Sequence, residues 1–322
     1  MPSQRSPSPE KVSSDEKASA EHVHAHGAVS AAPHQEAKVL EVVNADYALA
    51  LSTGPPLSPY SWTSIQLFGI LLVAYMGSLS NGFDGSVMSA VNGMQQYLDF
   101  FGIDGADAGG GVGTTTAIIF GIYSIGSIAA VLIAGPVTDR FGRRGGMFLG
   151  SIIIIIGAIA ITTAKNVSYL LGGRFALGFG VAITTTAAPS YVVEMSPPQW
   201  RGRLTGLYNT FYYSGSILCT GISVATGRIN GTASWRVPLA IQIGPAVILA
   251  AGSLFLPESP RWLIAAGRKD EARRILAKYH GNGDPDAPLV QLEWREFEEA
   301  IQLDASDKRW QACVYILPSS EA

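Results

Sequence analysis

The chain has 322 residues, of which 48% are hydrophobic and 15% charged, against about 25% charged in an ordinary soluble domain. A net charge of −3 argues against a nucleic-acid partner, and a mean hydropathy of +0.24, averaged over polar ends, requires very apolar interior segments. Cys219 lies in an apolar stretch and Cys313 in a polar one, so no disulfide framework is expected, and the polar N-terminus lacks the apolar core of a signal peptide.

Residues 1–64 are rich in Ser, Pro, Ala, His and Glu and read as a disordered cytosolic tail. Within it His22, His24 and His26 alternate. Such a tract can bind a transition metal weakly, but it implies no fixed geometry, and a solvated tail is the simpler reading. No metal site or cofactor is expected.

Charge-poor stretches then alternate with short polar breaks. A helix needs about 20 apolar residues to cross the roughly 30 Å hydrocarbon core. Residues 65–257 supply six stretches of that length: 65–90, 111–137, 146–164, 168–193, 204–227 and 237–257. Period-2 alternation is absent, which argues against a membrane β-barrel. The alternative of buried helices in a soluble enzyme needs six such stretches in succession. The fold class expected is an all-α membrane protein.

Orientation follows from Lys and Arg. With the N-terminus cytosolic, the inner segments hold Arg140, Arg143, Arg144, Arg201 and Arg203. After the sixth stretch come Arg261, Arg268, Lys269, Arg273, Arg274 and Lys278. The outer loops hold Lys165, Arg228 and Arg236, together with N-x-S/T sequons at Asn166 and Asn230. Both sequon loops are short, so the sequons agree with the topology without implying glycosylation.

Residues 258–305 read as amphipathic cytosolic helices. Ser259-Pro260 is a helix start, and Asp270 is a second candidate cap. Ala272, Ile275, Leu276 and Tyr279 follow at helical spacing before Gly281. Val290, Trp294, Phe297 and Ile301 mark a third short helix. Residues 306–322 form a divergent tail.

Two charges lie inside apolar stretches, Asp84 in the first and Arg174 in the fourth. An intramembrane charge costs roughly 2.5–3.5 kcal/mol on insertion scales and usually faces a partner or an aqueous cavity. Counted from the outer ends, both sit about 10 Å deep at 1.5 Å per residue, so they can meet if their helices are neighbours. Three charged patterns also sit at inner helix ends. They are Gly135-Pro-Val-Thr-Asp139-Arg140-Phe-Gly142-Arg143-Arg144, then Pro189 to Gly202 with Glu194 and Arg201, then Pro257-Glu258-Ser-Pro260-Arg261-Trp262.

With these patterns in order, the chain from about Ile65 to Asp307 resembles the sugar porter family of the major facilitator superfamily. Gly82-Phe83-Asp84-Gly85 and Gly173-Arg174-Phe-Ala-Leu-Gly178-Phe-Gly180 extend the resemblance. Asn81 to Phe101 and Leu204-Thr-Gly-Leu-Tyr-Asn209-Thr look most like fungal lactose, cellodextrin and hexose permeases. The resemblance implies the N-terminal half of a twelve-helix transporter with a central sugar site, working by alternating access at the plasma membrane. It implies a mono- or disaccharide and a proton as substrates, the lipid bilayer as surroundings, and no nucleic-acid partner.

In proton-coupled relatives the acid and base matching Asp84 and Arg174 carry the coupling, because protonation of a paired Asp releases its partner. The alternative is a static ion pair that fixes helix packing. The resemblance further implies that Asp139, Arg140, Arg143, Arg144, Glu194, Arg201, Glu258 and Arg261 form an inner-face charge network holding the outward-facing state. The plainer reading of those charges is topology alone. For sugar recognition, which needs amides, hydroxyls and aromatic platforms, the candidates are Asn209, Tyr208 and Tyr212. Asn209 stands where many sugar porters carry Gln; the tyrosines can equally be packing. The glycines at 121, 126, 173, 178 and 180 read as close helix packing.

The function expected is sugar:proton symport, with no enzymatic activity, since no nucleophile–base or metal-ligand cluster appears. The rivals are a non-transporting sugar-sensing half-protein and a facilitator of organic acids or phosphate. The resemblance fades after Trp310, so the chain is also expected to be truncated and inactive alone, lacking a C-terminal half; a homodimer partner in its place is the alternative.

Overall fold

In a computed structural model describing residues 46–50, 52–54, 57–103 and 113–316, with side chains to 303, the backbone is helical throughout its regular elements. No strand occurs among the described residues. The chain divides into the units Met1–Leu49 and Ala50–Ala322. Of the first, residues 46–49 are helical; the histidine tract and the rest of the expected tail to residue 45 lie outside the described residues.

The second unit carries the long helices. Helix α1 (Trp62–Asn92) starts three residues before the expected boundary, because Ser61 accepts the Ser64 N–H and caps it. The short α2 (Gln95–Phe101) follows and stops at Gly102, whose φ of 62° suits a residue without a Cβ. The run α3 (Thr114–Thr162) holds two helical arms that meet at a kink at Gly142, in keeping with the two stretches 111–137 and 146–164 that the sequence suggests. The intervening Thr138 to Arg144 contains no proline, so the polar stretch stays helical except at Gly142 (φ 81°, ψ 171°). Glycine is required there twice over, since a Cβ would also meet Glu258 Oε2 at 2.2 Å. Helix α4 (Val167–Met195) begins at Asn166, whose side chain accepts the Tyr169 N–H at 2.8 Å. Helix α5 (Pro198–Thr226) has proline in its first turn.

The last apolar stretch forms α6 (Ala233–Ile241) and α7 (Ile243–Ser253), joined at Gln242 with near-helical dihedrals. It ends four residues before the expected 257. Helix α8 (Pro260–Ala265) is capped by Ser259, as its sequence suggests. Helix α9 (Lys269–His280) has Arg268, not Asp270, at the cap position. Asp270 and Glu271 instead occupy its first turn and Lys278 and His280 its last, both favourable to the helix dipole. Helix α10 (Pro288–Ile316) runs beyond the expected end at 305, because neither Pro nor Gly interrupts it before Pro318.

Four runs among the described residues are long and apolar enough to cross a membrane: α1, α3, α4 and Ala233–Ser253. At 49 residues, α3 is more than twice the length that one crossing needs. Helix α5 is long enough at 29 residues, but its hydroxyls, glycines and arginines keep it outside that class. Helix α3 packs most extensively on α4, and α1 on α5. Leu263, Ile264 and Ala272, with Trp294, Phe297 and Ile301, give α8, α9 and α10 a small core of their own.

Candidate functional site

Glycines decide where the helices cross. A Cβ on Gly82 would meet the Tyr212 carbonyl oxygen at 1.9 Å, and one on Gly215 that of Leu79 at 2.1 Å, so α1 and α5 touch backbone to backbone. A Cβ on Gly126 would meet the Phe175 carbonyl at 2.3 Å, and one on Gly178 that of Tyr123 at 2.2 Å, which fixes α3 against α4. Gly173 and Gly180 pack closely too, whereas Gly121 has open space around it.

Next to these crossings lie Asp84 on α1, Tyr123 on α3 and Arg174 on α4. Arg174 Nη1 stands 3.5 Å from Asp84 Oδ1, and the two side chains are only 4% and 2% exposed. The ion pair is loosely made. Both Asp84 oxygens and Arg174 Nε and Nη1 are buried without a hydrogen-bond partner. The Tyr123 ring lies 4.6 Å from the guanidinium, near enough for a cation–π contribution. Ser86 and Ser216 bond at 2.6 Å across the α1–α5 contact.

A buried pair of this kind gains from attraction but loses hydration, and the Tyr123 side chain adjoins both partners. Protonation of Asp84 would remove that attraction.

The three sugar-site candidates on α5 do not share one face. Asn209 and Tyr212, one turn apart, are exposed, and Tyr212 packs edge-on against Tyr213 with centroids 5.5 Å apart. Tyr208 is 7% exposed, with its ring centroid 6.1 Å from that of Tyr75. Tyr75 in turn donates to the Leu204 carbonyl at 2.9 Å. Tyr208 thus packs the core, about 100° around the helix from its neighbour Asn209.

At the far end of the bundle the charges interlock. Arg143 grips Glu194 through Nε and Nη2, each at 3.1 Å, and reaches Asp139 at 3.4 Å. Ser259 donates a close hydrogen bond to Glu194. Glu258 Oε1 accepts the backbone N–H groups of Arg143 (3.1 Å), Arg144 (3.2 Å) and Ser259 (2.9 Å). It thereby caps the second arm of α3 just after Gly142. Burial pushes the Glu258 carboxyl above its ordinary value, against the opposing pull of those N–H groups. Arg144 donates to the carbonyls of Leu256 (3.2 Å) and Leu254 (2.7 Å). Arg140 is exposed and makes no ion pair among the described residues. Arg261 stands half-buried in the first turn of α8. Arg201 pairs with Glu293 of α10 at 3.0 Å.

Three participants escape a reading by motif alone: Tyr123, Glu293 and His280, the last bonded to Glu293. Glu293 had a signal, since it borders the Val290–Trp294–Phe297 face. Tyr123 had none, being one of several tyrosines in apolar helices.

The model of the Sugar (and other) transporter family matches residues 70–314. The match passes through Trp310, where the resemblance read from sequence stops. A high-affinity glucose transporter of Candida albicans is 33% identical over 244 residues, covering 76% of this chain and 44% of the relative. A sugar transport protein of rice, MST8, is 34% identical over 232 residues, covering 69% and 45%. The chain thus spans less than half the length of these curated relatives. Among solved structures, the proton:xylose symporter XylE, bound to a bromo-deoxyglucose, superposes with a TM-score of 0.67 at 23% identity, covering 75% of this chain and 54% of that one. An inward-open XylE from E. coli gives 0.63. At that identity the likeness speaks to the fold alone, which is half of a major facilitator.

Proposed function

Because the chain belongs to the sugar transporter family, we propose that it forms the N-terminal half of a sugar:proton symporter in which Asp84 and Arg174 couple proton binding to sugar movement. In this reading six spans cross the membrane: α1, the two arms of α3, α4, α5 and α6–α7. The N-terminus and α8–α10 face the cytosol, and the plasma membrane is the site of action. Asn209 and Tyr212 contact a mono- or disaccharide from α5, and the Arg143–Glu194 and Glu258 contacts brace the inner ends in one conformation.

The observation that carries this proposal is the Asp84–Arg174 pair, buried beside Tyr123 at 3.5 Å with no direct hydrogen bond between the two side chains. A purely structural ion pair gains from a tight, hydrogen-bonded geometry. A pair that must open and close does better with a loose one. Names among the relatives support the substrate class, glucose in Candida albicans and xylose with a proton in XylE.

The test is Asp84→Asn in the full-length transporter, read at matched surface abundance. Accumulation of labelled sugar against its gradient should disappear, levels inside reaching no more than those outside, while exchange of sugar across the membrane continues. Unchanged accumulation together with unchanged proton uptake would reduce the pair to a structural contact.

A further inference from the structure

We propose that His280 and Glu293 form a second proton-holding site, separate from Asp84 and Arg174, whose proton keeps α9 and α10 docked on the ends of α4 and α5. The two side chains are 3% and 1% exposed. His280 Nδ1 is in close contact with Glu293 Oε2, and Nε2 faces the Met195 carbonyl oxygen at 3.1 Å. Glu293 Oε1 accepts from Arg201 Nη2 at 3.0 Å.

The inference rests on counting donors. A carbonyl oxygen only accepts, so Nε2 must carry a hydrogen. A neutral imidazole then presents a bare Nδ1 to a carboxylate, and both are acceptors. The contact needs one more proton, on the ring or on the carboxyl. Either placement gives the dyad one proton more than a neutral histidine beside a carboxylate. Arg201 beside Oε1 favours the ionised carboxylate, which puts the proton on the ring.

The other charged groups nearby have their own partners. On α4, Glu194 is held by Arg143 and Ser259. On α9, Lys278 lies over the Tyr279 ring at 5.0 Å. Helix α8 contributes Arg261, and the first turns of α1, which also pack on α9, hold no ionisable side chain. The dyad joins the end of α4, the first turn of α5, the end of α9 and the start of α10. Loss of its proton turns two buried lone pairs on one another, which costs most where water is excluded. The undocked state can release the proton to water, so docking is favoured at low pH and weakens as pH rises.

The experiment uses the full chain in lipid nanodiscs, with hydrogen exchange followed between about pH 5 and pH 8, where histidine changes charge, after correction for intrinsic rates. Amides of α9 and α10 should exchange roughly tenfold faster at the upper end, the scale of one lost charge-assisted hydrogen bond, while α3 and α4 stay unchanged. Glu293→Gln supplies an amide hydrogen to a neutral ring and keeps the Arg201 contact, so its α9–α10 protection should be flat with pH. Asp84→Asn should leave the effect intact, which separates this site from the coupling pair. Nitrogen-15 spectra of labelled His280 should show both ring nitrogens protonated, or one protonated beside a neutral carboxyl, at the lower pH. A neutral ring beside an ionised carboxylate there, or the same pH profile in the unaltered chain and in Glu293→Gln, would overturn the proposal. If Glu293→Gln fails to insert, the ring-nitrogen shifts together with the carbon-13 shift of the labelled Glu293 carboxyl decide.

Discussion

Asn209 is exposed on the face of α5 that also carries Tyr212, where an amide can both donate to and accept from a sugar hydroxyl. Asn209→Ala is expected to raise the KM for the transported sugar about tenfold, the effect of one lost polar contact, with surface abundance unchanged. Unaltered affinity for every sugar tested would make the residue structural. The sequence singles out Asp84 and Arg174 because a charge stands out in an apolar run, and Asn209 through its match to an amide position of the family. It does not resolve Tyr208 from Asn209, since adjacent helical positions part company only once the buried face of α5 is known, and that face is set by Tyr75 on α1. Glu293 and His280 fall between these cases. Both lie on or beside apolar faces of amphipathic helices, a signal that requires reading the faces for their exceptions as well as their pattern.

Elements with long apolar runs are legible to within a few residues. The connection between the two arms of α3 is tighter than a polar loop: helical dihedrals run up to the kink at Gly142 and resume after it, where Glu258 supplies the cap that the second arm needs. The glycines suggest close packing but not which of them make it. Gly178 sits against the Tyr123 carbonyl, whereas Gly121 faces open space. Gly178→Leu should therefore split the α3–α4 crossing, lowering the apparent Tm of the purified protein by at least about 5 °C or abolishing its yield. Gly121→Leu should leave both within error. Equal behaviour of the two variants would mean that the crossing is not held by backbone contact.

For the whole molecule, topology and completeness are linked. In a background where Cys219 and Cys313 are replaced by Ser, a cysteine at Asp99 on α2 should react with an impermeant thiol reagent in intact cells. One at Arg268 should react only after permeabilisation, and the reverse pattern would invert the orientation. If that orientation holds, α5 poses a physical question. It has the length of a span, but its outward face carries Asn209, Thr210, Tyr213 at 67% exposure and Thr220, and lipid solvates such a face poorly. The exposed faces of α3, with Ile128, Val131 and Leu132, suit lipid well. The α5 face is thus the one that needs a protein or aqueous neighbour, and in a major facilitator that neighbour is the other half, across the substrate path. The curated relatives are about twice as long as the match. Residues 1–322 expressed by themselves in a cell deficient in sugar uptake are accordingly expected to insert without raising uptake of labelled sugar above the empty-vector level. Uptake by the inserted segment would mean that a second copy covers the α5 face, and crosslinking through a cysteine at Tyr213 would then trap a dimer.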